Sequence, residues 1–124
     1  MKKGILALLV VAACWGPTLQ ANDWKNAPIS EVQKAAEQGY AMAQFNLGVM
    51  YEQGKGVAQD DKQAVAWFRK AAEQGLAEAH LALGVMYFGG RGVAQDYKQA
   101  VVWTRKAAEQ GDALAQRLLG VMYE

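Results

Sequence analysis

From residue 41 onward, apolar and small residues fall at i, i+4, i+7 and i+8, first as Ala43, Leu47, Met50 and Tyr51. That spacing makes one stripe on a helix and does not fit strand alternation. It predicts a helix over Ala41–Gln53, again over Ala77–Phe88, and again over Ala113–Tyr123. A second kind of amphipathic stretch alternates with the first. It begins after Asp60 and Asp96 and offers Ala64, Trp67, Phe68 and Ala71, then Ala100, Trp103 and Ala107, as core residues. Each aspartate suits a helix N-cap, and Gln63 or Gln99 follows it at capping-box spacing. Ser30 with Gln33 reads as the same device before a shorter leading helix. Gly39, Gly75 and Gly111 stand where the second helices end, at positions where glycine enters the left-handed turn without penalty. Glycine-rich links, Gly54-Lys55-Gly56-Val57 and Gly89-Gly90-Arg91-Gly92, join first helices to second.

The alternation is a repeat. Tyr40–Gly75 and Leu76–Gly111 are identical at 25 of 36 positions, Asp112–Glu124 opens a third copy, and Lys34–Gly39 matches the close of each unit. The expected architecture is all-α: a right-handed α-solenoid of antiparallel helical hairpins, with about two full 36-residue repeats and a half-unit at each end. Residues 34–124 form this domain, in units 40–75, 76–111 and 112–124, and residues 22–33 form a lead-in and the start of the first helix. Gly48, Gly84 and Gly120 recur inside first helices, where glycine costs up to about 1 kcal/mol against alanine. Their recurrence predicts close helix–helix contact. The third copy lacks a second helix, so Leu119, Met122 and Tyr123 are expected to promote self-association through the C-terminal half-repeat or to lower stability.

The first segment differs in kind. Met1-Lys2-Lys3 is basic, Gly4–Ala13 is apolar, and Leu19-Gln20-Ala21 is a small-residue exit. This is the layout of a bacterial secretory signal over residues 1–21, cleaved after Ala21, and about half the length a membrane span requires. The expected location is the periplasm or the medium. An alternative exit at Val11-Ala12-Ala13-Cys14 would lipidate Cys14 and anchor the chain to a membrane.

Composition narrows the chemistry. Thirteen Lys+Arg against twelve Asp+Glu leave no basic excess for nucleic acid. One cysteine and one histidine exclude an intramolecular disulfide and a Cys/His zinc site. The only hydroxyl residues of the Ser/Thr type are Thr18, Ser30 and Thr104, a poor inventory for a catalytic triad. His80 shares its register with Gln44 and Gln116, which suggests a polar, solvent-facing site. Glu37, Glu73 and Glu109 read as a solvated face. Lys55 and Arg91, each between glycines, could sit in an anion-binding nest or a tight turn; the phosphate-loop pattern is absent. No catalytic, cofactor-binding or metal-ligating residue is expected.

The spaced set Ala43, Leu47, Gly48, Tyr51, Gly54, Gly56, Asp60, Ala64, Trp67, Ala71, Ala72 and Gly75 recurs 36 residues later. This pattern resembles the Sel-one-like repeat family, a relative of the tetratricopeptide repeats. The resemblance implies an adaptor or scaffold that binds another protein or peptide along a curved helical surface. Positions 42, 45, 49 and 52 form a stripe beside the core, of the kind that tetratricopeptide proteins use to hold peptides. Within it and its copies Met42, Phe45, Glu78, Phe88, Leu114 and Arg117 vary, as recognition positions would; the competing reading is that the stripe packs one hairpin on the next. Some secreted relatives are cysteine-rich and linked to β-lactam binding or hydrolysis. This chain has no cysteine from Ala21 onward, so that activity transfers poorly. The expected function is protein–protein interaction by an exported repeat protein without catalysis. The alternatives are a self-associating structural or truncated remnant and, behind it, a β-lactam-binding member.

Overall fold

The structure is a computed structural model that describes residues 27–123. The signal segment, its exit at Ala21, Cys14 and Glu124 lie outside those residues. Six helices follow one another: α1 (Ile29–Glu37), α2 (Ala41–Gln53), α3 (Asp61–Glu73), α4 (Ala77–Gly89), α5 (Tyr97–Glu109) and α6 (Ala113–Met122). No strand occurs among the described residues. Each helix packs on its neighbours in sequence, which is the contact pattern of a solenoid.

The repeated Lys-Ala-Ala-Glu-Gln-Gly ending explains each return turn. Gly39, Gly75 and Gly111 have φ of +97°, +91° and +93°. At Gly39 its N–H bonds the Ala36 carbonyl at 3.0 Å, and the next N–H, of Tyr40, bonds Ala35 at 3.2 Å. That pair of bonds is the Schellman arrangement, and it recurs at Gly75 and Gly111. The following helix therefore starts at a fixed angle each time. Asp60 and Asp96 cap the second helices: Asp60 Oδ1 accepts from the N–H groups of Lys62 and Gln63 at 3.0 and 3.2 Å. Only half of the box forms, because the Asp60 N–H donates to the Tyr51 carbonyl at 2.9 Å, which closes the glycine link. The expected cap at Ser30 is not formed. α1 begins at Ile29 with Pro28 as its N-cap residue and no side-chain cap bond. Proline fixes φ and its carbonyl already accepts from Glu31, so Ser30 falls inside the first turn and is exposed.

Two clusters make the core. One holds Val32, Ala35, Ala36, Ala43, Leu47 and Met50 between α1 and α2; the other holds Ala64, Val65, Phe68, Ala79, Leu83 and Met86 between α3 and α4. The two described tryptophans are only half-buried. Trp67 and Trp103 lie on the flank with Lys70 and Lys106 over their rings at 4.5 and 4.7 Å.

The two hairpins differ in their cores where Phe68 in the first becomes Thr104 in the second. Thr104 is fully buried, and its hydroxyl has no hydrogen-bond partner. A buried hydroxyl left unpaired costs about 1–3 kcal/mol. Thr104→Val is therefore expected to raise the urea midpoint, by about 1 kcal/mol in stability. A fall instead would mean that the hydroxyl is bonded in solution, to the Ala100 carbonyl one turn back.

A candidate protein-binding groove

First helices stand side by side on one face of the solenoid. Their spacing leaves an open groove of about 370 Å³ between α2, α4 and the start of α6. Its walls are Phe45 and Val49 of α2 and Leu81, Ala82 and Val85 of α4, with Leu114 of α6 at one end. Phe68 of α3 backs the groove, its ring 5.6 Å from that of Phe45 and tilted by 39°. The charged residues of the lining are Glu52, Glu78 and Asp112.

Of the residues expected to bind, the structure brings Phe45, Glu78 and Leu114 together in this groove. Met42 instead packs against the cluster around Val32 and Leu47. Phe88 lies at the far end of α4, edge-on to Tyr97 with ring centroids 5.2 Å apart. Arg117 is exposed on α6 outside the lining. Val49, Leu81 and Val85 belong to the same stripe and its copies but not to its variable recognition positions. The stripe register already placed them, since Leu81 is the copy of Phe45, and Val85 of Val49.

His80 is not solvent-facing. It is 7% exposed, and its ring stacks on Trp103 at 5.6 Å and 23°. Gln44, in the same register, is 6% exposed and donates to the Ala36 carbonyl at 3.2 Å; only Gln116 of this set is exposed. The register serves contact between successive helices, since Gln116 also reaches back, to Ala108 at 3.1 Å. His80 Nδ1 is buried without a hydrogen-bond partner among the described residues. Among the described residues no group of three or more His, Cys, Asp and Glu could hold a metal.

The glycine links are turns. Gly54, Gly56, Gly90 and Gly92 all have positive φ, and Gly92 lies against the Asp61 backbone. Arg91 reaches from its link to Glu52 at 3.0 Å and to Asp61 at 3.3 Å. Both pairs are partly solvated, so they orient the link more than they stabilise it.

Stacked helical hairpins with an open apolar groove on the face of the first helices define a repeat solenoid. The chain belongs to the Sel1 repeat family, which matches residues 32–40, 41–76, 77–112 and 113–124 and whose members typically serve as protein–protein interaction scaffolds. It is 45% identical over 69 residues to the secretory immunoglobulin A-binding protein EsiB of Escherichia coli O6:H1, covering 56% of this chain and 14% of that protein. The crystal structure of a Sel1 repeat protein from Oxalobacter formigenes superposes with a TM-score of 0.72 at 46% identity, over 77% of this chain and 39% of that one. The Helicobacter pylori cysteine rich protein B superposes with a TM-score of 0.76 at 27% identity, over 94% and 93% of the two chains. The chain thus spans well under half the length of EsiB and of the Oxalobacter protein.

Proposed function

We propose that this chain is an exported protein-binding module that holds a segment of a partner protein in the groove between α2 and α4 and performs no chemistry on it. The observation that carries this reading is the groove itself: Phe45, Val49, Leu81 and Val85 form an open apolar wall, and no Ser, Thr, Cys, His or Lys is among the lining residues. An exposed apolar groove of this kind is a favourable place to bury a partner's side chains. The two described Ser/Thr hydroxyls, Ser30 and Thr104, do not line it. EsiB, named for binding secretory immunoglobulin A, supports the protein-binding class. Its partner is not transferred, because the matched segment covers 14% of its length.

The test places a photoreactive phenylalanine analogue at Leu81 in cells exporting the chain. A discrete crosslinked partner is expected, and its yield should fall at least about tenfold when Val85→Asp is added, as for loss of an interface anchor. The reading fails if the analogue at Leu81 crosslinks no more than one placed at exposed Lys62.

A further inference from the structure

We propose that the groove prefers a segment whose apolar side chains are flanked by lysine or arginine, and discriminates against an acidic one; this rests on the groove being a protein-binding site. Its lining carries three carboxylates, Glu52, Glu78 and Asp112, and no cation. Glu52 is near the C-terminal end of α2 and Glu78 near the N-terminal end of α4. As first helices of successive repeats these two share a direction, so the carboxylates mark opposite ends of the apolar wall. Asp112 joins the Glu78 end as the N-cap of α6.

The three are not equivalent. Arg91 already binds Glu52 Oε2, which weakens that end. Asp112 Oδ1 accepts from the Ala115 N–H at 2.9 Å, a bond that uses one lone pair and leaves the charge in place. Glu78 is exposed and has no ion pair among the described residues. The starts of α4 and α6 lie at the same end, and each contributes roughly half a positive charge. Two carboxylates against two half-charges leave that end negative by about one unit. Arg117 lies on α6 outside the lining. An acidic segment would lay its carboxylates beside Glu78 and Asp112 with no lining cation to offset them, whereas a basic one finds complementary charge at the groove's end.

The probes are three short capped peptides with alternating leucine and phenylalanine, flanked by lysines, by glutamates or by glutamines. Binding is measured by titration calorimetry, and the site is located by amide chemical shifts. The lysine peptide is expected to bind about tenfold more tightly than the glutamate peptide at low ionic strength, with the gap closing near 1 M salt as screening shortens to about 3 Å. Glu78→Gln should weaken the lysine peptide about threefold relative to the glutamine peptide. Equal affinities of the three peptides, with shifts centred on Phe45, Leu81 and Val85, would overturn the charge preference and leave the groove reading standing. Absence of shifts at those residues for every peptide would overturn both.

Discussion

Phe68→Ala is expected to remove about 3–5 kcal/mol of stability, the range for deleting a buried phenylalanine ring. Phe68 is 1% exposed and belongs to the cluster that joins α3 to α4, with Leu83 and Met86. It also fills the space over Gly48, whose missing Cβ would lie 2.6 Å from the ring. The lost ring therefore opens a void between α2 and α3 and, on the other side, removes the backing of Phe45 in the groove. A domain of this size is held by about 5–15 kcal/mol in all, so a large share of its stability is at stake. Urea denaturation followed by circular dichroism gives the value. A loss under about 1 kcal/mol would mean that α2 and α3 close the void, against the partial relaxation found in cores. The second hairpin holds threonine at this register, so the large cost belongs to the first hairpin alone.

Much of this architecture is written in the sequence because a repeat states each rule twice. Helix extents, the glycine turns at Gly39, Gly75 and Gly111, and the aspartate caps each follow from local chemistry that needs no distant partner. The failures share one cause: their outcome depends on a neighbour that the local pattern does not contain. Ser30 has cap-like spacing, but Pro28 fixes the entry two residues earlier. Gln44 and His80 have polar side chains on a face that neighbouring helices cover: Gln44 bonds the Ala36 carbonyl of α1 and His80 stacks on Trp103 of α5, so a polar residue there is buried against a neighbour. The groove was legible only in part. The stripe register located the face, with Phe45, Glu78 and Leu114 on it. Variation between copies did not tell a groove residue from one used for packing, as Met42 and Phe88 illustrate. Where the helices diverge enough to leave space is set by their crossing, and side-chain patterns along one helix do not encode that directly.

The glycines of the first helices give the sharpest contrast, since one substitution is expected to act in opposite directions at equivalent positions. A Cβ on Gly84 would strike the Thr104 hydroxyl and come within 3.2 Å of both the Ala100 carbonyl and the Thr104 backbone nitrogen. Backbone atoms of a packed helix do not yield as a side chain does, so α5 must move off α4. That costs about 1–3 kcal/mol, against the roughly 1 kcal/mol gained by replacing helical glycine with alanine. Gly84→Ala should destabilise by up to about 2 kcal/mol on this balance. Gly120 occupies the same register in α6, yet no described atom lies within 4 Å of the Cβ it would gain. There the propensity gain stands alone, and Gly120→Ala should stabilise by up to about 1 kcal/mol, less where the helix end frays. The two variants are compared by urea midpoint at several protein concentrations. Equal shifts at both sites would refute the packing role of Gly84. Destabilisation at Gly120, growing with protein concentration relative to the unsubstituted chain, would show that another helix covers α6 in solution. In that case the close contact at Gly48 and Gly84 would be repeated there between molecules.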